Sequence, residues 1–388
     1  MPAPGRLQLA DILSVYGQDY LATHALTRAQ AKAWRAIVSC GTAALGGHID
    51  RCDACGALRH VYHSCRNRHC PRCQTRAKEQ WIAARHRELL PVPYTHLVMT
   101  LPHALNGLIS HDFRCITDIL FASAAATLTE FGANPRWLGG QLAFSLVLHT
   151  WSQNLMRHVH VHALVASGAL AEDGRWVCSP RGFLFPVKAL SKVFRGKFLE
   201  GLNRAWATGR LRQTPDEATW RQLLRELRRH DWVVYAKQPL GGPSEVLEYL
   251  ARYTHRVAIS NERLVSMADG VVSFRVRDNA NPGKKRIEQL SAPQFIGRFL
   301  LHVLPPGFKR IRHYGILASV HKHAQLARCR QALQMPAPVP AVIETVDAFL
   351  RRVTGWEMAC CPQCGQAAMR LLEVIAPRRQ KPCSTGPP

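Results

Sequence analysis

The chain has 388 residues, 47% of them hydrophobic, which suffices for two or three cored domains and excludes wholesale disorder. Lys and Arg number 51 against 26 Asp and Glu, a formal net charge of +25. That excess disfavours an enzyme of small neutral substrates and points to a polyanion, either nucleic acid or an acidic membrane surface.

No uninterrupted apolar stretch approaches the roughly 20 residues of a spanning helix; the best, 119–128, is short and Ala-rich. Residues 1–10 have no apolar core ahead of a small-residue cleavage site, so no signal peptide is expected and the chain reads as cytoplasmic. In that compartment the 13 cysteines read as metal ligands and buried thiols rather than disulfides.

Residues 1–38 show helical periodicity through Leu7, Leu9, Ile12 and Leu13, then 29–37. Residues 40–78 are rich in Cys, His and Arg but poor in large aliphatics, so they need a staple in place of a core. From Pro91 the composition changes. Residues 94–101 predict a strand closed by Pro102, and 104–131 one or two helices. Residues 141–148 and 159–167 alternate as strands, with a turn at Asp173-Gly174. Residues 186–230 read as basic helix and 232–237 as a strand. Pro243 and Ser244 sit where the cap and first turn of a helix over 245–257 belong. Residues 264–267 and 271–277 predict a hairpin about Asp269-Gly270, and 293–328 helix and basic loop. From Gln334 the chain is Pro-rich and carries Cys361-Pro-Gln-Cys364. The order is that of an α+β fold, an antiparallel sheet flanked by helices.

Cys52-Asp-Ala-Cys55 and Cys70-Pro-Arg-Cys73, 14 residues apart, have the spacing of a zinc ribbon or treble clef. Each turn aims two thiolates at one ion, so the first-choice zinc ligands are Cys52, Cys55, Cys70 and Cys73. Cys40, His48, Cys65 and His69 stand as replacements or as a second site. Arg66, Arg68 and Arg72 in the same block suggest a phosphate-binding face.

His158-Val159-His160-Val161-His162 alternates within a strand, which puts the imidazoles on one face and the valines on the other. The pair His160 and His162 around Val161 has the shape of an HUH motif, which holds Mg²⁺ or Mn²⁺ against a scissile phosphate. Tyr249 and Tyr253 lie at i and i+4 on one face of the helix over 245–257, with Arg252 and Arg256 beside them. Alone such a pair is more often a core contact. Downstream of an HUH strand the two phenols read as nucleophiles toward DNA phosphates.

Four segments in this order resemble the two-tyrosine HUH transposases of the IS91 type. They are 64–73 (SCRNRHCPRC), 148–154 (LHTWSQN) ahead of His158 to His162, 249–260 (YLARYTHRVAIS) and 298–317 (RFLLHVLPPGFKRIRHYGIL). The resemblance spans roughly residues 30–330. It implies a rolling-circle transposase that nicks one strand at an element end, stays attached through tyrosine and transfers single-stranded DNA. The nucleophiles map onto Tyr249 and Tyr253, the metal pair onto His160 and His162, and the zinc-binding domain onto residues 40–78. Val159 stands where the family pattern has Pro, which leaves the HUH pair intact. A third metal ligand is left open among Gln153, Asn154, Glu245 and Glu248.

The expected organisation is a helical segment (1–39), a zinc-binding DNA-contact module (40–90), an HUH nuclease domain (91–280), a basic extension (281–335) and a Pro-rich tail (336–388) with a CxxC half site. In the extension, Lys309, Arg310 and Arg312 with Tyr314 suit contact to a single-strand backbone and base stacking. Cys361 and Cys364 are half a zinc site or an inert pair. The alternatives are a plasmid replication initiator or relaxase with the same chemistry, or a zinc-dependent DNA-binding regulator without nuclease activity. The expected cofactors are Mg²⁺ or Mn²⁺ and structural Zn²⁺. The expected partners are single-stranded and element-end DNA, at the bacterial nucleoid, with no membrane.

Overall fold

Two long strands buried on both faces govern the fold. In chain order the strands are β1 (Gly47–Cys52), β2 (Leu58–Tyr62), β3 (Tyr94–Thr100), β4 (Gly140–Trp151), β5 (Arg157–Ala171), β6 (Trp176–Cys178), β7 (Val234–Leu240), β8 (Leu264–Ala268), β9 (Val271–Arg277), β10 (Lys285–Ser291), β11 (Ile311–Gly315) and β12 (Met369–Ile375). This computed structural model describes residues 6–179, 184–240, 245, 258–278, 280–281, 283–336 and 344–378. Two compact units result, one of residues 1–77, 259–303 and 339–388, the other of 78–258 and 304–338.

The second unit is built on an antiparallel sheet in the order β11-β4-β5-β3-β7, with β6 paired to β5. Side-chain period two sorts β4 and β5 onto two buried faces. Phe144, Leu146 and Leu148 of β4, Val159, Val161 and Ala163 of β5, and Leu97 and Met99 of β3 share one core with the helices Phe113–Ala133 and Val187–Ala207. Leu164 and Ala166 of β5 point the other way, toward Tyr94, Ile316 and the helix Lys322–Ala332 through Leu326 and Cys329. Helix Phe113–Ala133 is long and apolar enough to cross a membrane, yet 67% of its apolar window is buried, because it is the central helix of this core.

On β11 the half-buried His313 receives a hydrogen bond from Arg85 Nη1 at Nε2 (2.9 Å), so its Nδ1–H faces Ser145 Oγ (2.7 Å). Burial, then the charge of Arg85, holds its pKa down to about 4 from 6.5. Between those values the unfolded chain binds a proton that the folded chain refuses, so stability is full above pH 6.5 and drains as pH falls toward 4. The share of the loss due to His313 is about 2 kcal/mol at pH 5, and His313→Gln should reduce the slope between denaturant titrations at pH 7 and pH 5 by that amount. An unchanged slope would acquit His313.

The first unit joins segments far apart in sequence. Helix Arg28–Ser39 starts at a Thr27/Gln30 capping box. The hairpin β8–β9 turns at Asp269-Gly270, both residues with positive φ, and β10 completes a three-stranded sheet. Helix Ala292–Leu300 packs Phe295 edge-on to Phe274 of β9. This hairpin falls outside the compact unit that carries the histidine strand β5, the two units dividing there at 258/259. Its ties run instead to the N-terminal helices: Asn261 Oδ1 accepts from Leu9 N (3.1 Å), and Gln30 Nε2 donates to Leu300 O (3.1 Å).

Residues 344–378 of the tail are structured as well. Helix Val346–Thr354 precedes β12, which pairs antiparallel with β1 in the order β12-β1-β2. A β1–β2 hairpin alone would be marginal in water, and the third strand from the tail supplies what it lacks. Of the helix expected over 245–257, only Glu245 lies within the described residues. Tyr249, Arg252, Tyr253 and Arg256 lie outside them.

Candidate active site and cysteine clusters

In the β4–β5 ladder His149 lies opposite His160, and Val147 opposite His162. Because Val161 faces the helical core, His160 and His162 project from the opposite face, where His149 also points. The three are 3%, 8% and 9% exposed. Each offers a ring nitrogen, all within 4.8 Å of one another. His160 Nε2 and His162 Nε2 are 3.1 Å apart. Two imidazoles bound to one ion at about 2.1 Å stand roughly 3.0–3.4 Å apart for octahedral to tetrahedral angles. The histidines therefore fit a metal.

Neighbouring groups set the ring tautomers. His160 Nδ1 lies 2.8 Å from the carbonyl of His158, which only accepts, so the lone pair of His160 sits on Nε2. His162 Nδ1 lies 2.8 Å from His96 Nε2. Burial, then Lys237 and His160, holds the pKa of His96 down to about 4, so that ring is neutral near pH 7. When His162 donates from Nδ1 to His96, its own Nε2 lone pair joins that of His160. His96 thus stands where an outer-shell partner of a metal-bound His162 would stand.

His158 stands apart from this group. Its Nδ1 turns to His103 Nε2 at 3.4 Å. His149 and His96 are the residues sequence reasoning did not single out. His149 lies inside the 148–154 run; His96 carries no motif. Gln153 and Asn154 lie in the β4–β5 turn, where Ser152 Oγ donates to Asn154 Oδ1 (2.6 Å). Glu245 is not in the cluster, and Glu248 lies outside the described residues.

The cysteines form two quartets, neither of them the one expected. Cys70 and Cys73 join Cys40 and Cys65, whereas Cys52 and Cys55 join Cys361 and Cys364. The physical reason is the path of β1 and β2, which carries the first knuckle to the edge shared with β12. His48 lies on β1, its Nε2 3.6 Å from Asp50 Oδ2, and His69 belongs to neither quartet. In the Cys40 quartet, Sγ of Cys73 lies 3.4 Å from that of Cys40 and 3.5 Å from that of Cys65. A tetrahedron with 2.3 Å Zn–S arms has edges of about 3.8 Å, so these thiols are near ligand geometry. Hydrogen bonds from neighbours, Cys65 first, pull Cys40 down to about 7, and those of Cys40 pull Cys73 down while Cys65 and Cys70 are pushed up. Such thiols do not all ionise without a cation among them.

The basic residues divide. Arg66 and Arg68 are exposed, as a phosphate contact requires. Arg72 instead donates through Nη1 to the carbonyl of Cys40 (2.7 Å), which locks the metal-binding loop. Lys309 is exposed, and Arg310 is half-buried. Arg312 is paired with Asp118 and lies 4.0 Å over the ring of Phe121, so its charge serves packing. Tyr314 is half-buried and stacked on Phe144 (5.4 Å, 14°) within β11, so one face of its ring is taken by packing.

Comparison with known proteins gives the family. Residues 143–324 match a family model described as "Putative transposase", and residues 12–101 match one described as "Transposase zinc-binding domain". The first match spans the histidine cluster and both tyrosines; the second spans Cys40 to Cys73; Cys361 and Cys364 lie beyond both. The chain is 43% identical over 379 residues to "Putative transposase y4qJ" of Sinorhizobium fredii, covering 95% of each chain. It is 29% identical over 312 residues to "Transposase for insertion sequence element IS801" of Pseudomonas savastanoi pv. phaseolicola, covering 78% of this chain and 74% of that one. Identity at that level over nearly the whole length shows that the chain belongs to the IS91-type family of transposases, DNA-processing enzymes with a zinc-binding domain.

Proposed function

We propose that this transposase cuts single-stranded DNA at the ends of its element through a 5′-phosphotyrosine intermediate and transfers the strand in rolling-circle transposition. The observation that carries this reading is the convergence of His149, His160 and His162 on the buried face of a rigid two-strand ladder. A divalent ion held there would polarise the scissile phosphate. An all-imidazole set suits Mn²⁺ better than the harder Mg²⁺, which prefers oxygen ligands and water.

Tyr249 or Tyr253 supplies the nucleophile. Its Oη–P bond forms as the P–O3′ bond breaks; the phenolic proton passes to solvent, and the departing 3′ oxygen takes up a proton and leaves as a hydroxyl. A phenol has a pKa near 10, so the positive charge of Arg252 and Arg256 in the same segment favours the attacking phenolate. Rejoining is the reverse attack by a 3′-hydroxyl on the phosphotyrosine, which conserves the bond energy. The second tyrosine allows a second cut before the first is resolved. The tetrathiolate module with Arg66 and Arg68 positions the element end through its phosphates. This chemistry belongs in the bacterial cytoplasm, at the nucleoid.

A donor plasmid carrying cloned element ends provides the test. Expression of the transposase should release single-stranded circles of the element. Nicked donor without circles would favour a replication initiator or relaxase, and an intact donor a DNA-binding regulator.

A further inference from the structure

We infer that the chain holds a second zinc ion in a tetrathiolate site split between its two ends: Cys52 and Cys55 near the start, Cys361 and Cys364 in the C-terminal tail. The site is separate from the Cys40 quartet, and half of it lies beyond the matched zinc-binding region.

Four observations converge on it. The first is distance. Cys52 Sγ lies 3.7 Å from Cys364 Sγ, and Cys55 Sγ lies 3.6 Å from Cys361 Sγ. Both are close to the edge of about 3.8 Å of a zinc tetrathiolate and far from the 2.05 Å of a disulfide.

The second is that the two knuckles are the same turn. Each reads Cys-x-x-Cys-Gly. Gly56 and Gly365 have φ of 75° and 73°, a conformation that a side chain would strain. Each glycine N–H donates to the carbonyl of the first cysteine, Cys52 or Cys361, at 2.9 Å. Each first cysteine N–H donates two residues past its knuckle's last cysteine, Cys52 to Ala57 O (2.9 Å) and Cys361 to Gln366 O (2.8 Å).

The third is register. Cys52 ends β1 opposite Met369, the first residue of β12, and Asp53 N–H donates to Ala368 O (2.9 Å). The antiparallel ladder therefore brings both knuckles to one end of one sheet.

The fourth is a buried clasp beneath them. Arg59 is 8% exposed and donates to Asp50 Oδ2 through Nε (3.1 Å) and Nη2 (2.7 Å). It also donates to the carbonyls of Met358 (2.7 Å) and Cys360 (3.3 Å) and lies 5.0 Å over the ring of Trp356. A buried guanidinium so occupied holds the tail backbone in the place its cysteines need.

The consequence is a closed circuit of about 300 residues. Joining the chain ends through an ion removes loop entropy from the unfolded state, and the gain grows with loop length. The N-terminal module is complete only once the tail has been made, so C-terminally truncated copies of the transposase lack its second ion.

Metal analysis and thiol protection on the full-length protein test this. Purified with zinc, the wild type should hold two ions per chain. Cys361→Ser with Cys364→Ser should hold one. In the wild type, Cys361 and Cys364 should resist alkylation until a chelator is added, whereas the exposed Cys178 reacts at once. This second measurement requires no variant to fold. A wild type with one zinc, a tail variant that keeps two, or tail thiols that alkylate as fast as Cys178 would overturn the split site.

Discussion

His162→Ala, and equally His160→Ala, is expected to lower metal-dependent cleavage of single-stranded element-end DNA by about 10³-fold or more, since the several kcal/mol of charge stabilisation supplied at the phosphate go with the ion. The cluster makes a sharper forecast than the HUH motif alone. His149→Ala should be as damaging, because it too offers a nitrogen within 4.8 Å of the others. His158→Ala should leave cleavage within a few-fold of wild type, because that ring faces His103. His96→Ala should weaken apparent Mn²⁺ affinity about 10–100-fold yet recover much of its rate at saturating ion. Mn²⁺ should support cleavage at lower concentration than Mg²⁺. Rates against metal concentration for the five variants decide the matter: a fully active His149→Ala would exclude His149 as the third ligand.

The Cys40 quartet carries the second large effect. Structural zinc contributes about 10–16 kcal/mol of apparent folding free energy in small zinc modules. Cys70→Ser leaves three thiols and one weak ligand at a buried corner where Arg72 has closed the loop. The first unit should then lose its cooperative melting transition and its DNA retention at moderate salt. The second unit rests on the separate core of Leu146, Val161, Phe121 and Phe194 and should keep its near-ultraviolet signature. Thermal melts followed by near-ultraviolet circular dichroism, with and without a chelator, check both halves. Two undiminished transitions in Cys70→Ser would mean that this quartet is not a zinc site.

The central sheet was legible because its strands are buried on two faces. Val159 and Val161 in register with three histidines could be sorted by period two alone, and the ladder follows that sorting. His149 was not legible in the same way. A single histidine between Leu148 and Thr150 carries no period, and only the turn that folds β4 onto β5 places it opposite His160. The cysteine spacing told which residues form knuckles but not which knuckles share an ion, since partners some 300 residues apart leave no local trace. Net charge had the same limit. The sequence of Arg72 and Arg312 does not reveal that one closes a backbone loop and the other neutralises Asp118. Tyr314 read as an exposed aromatic in a basic loop until β11 paired with β4 and laid its ring on Phe144.

The most direct test of phosphotyrosine chemistry is peptide mapping of the covalent product. The full-length protein is incubated with a single-stranded oligonucleotide bearing an element end and Mn²⁺, digested, and analysed by mass spectrometry. A 5′-phosphate joined to Tyr249 or Tyr253, absent without the ion and absent from the double variant Tyr249→Phe with Tyr253→Phe, is the predicted result. Cleavage without an adduct, or an adduct that persists in the double variant, would contradict it.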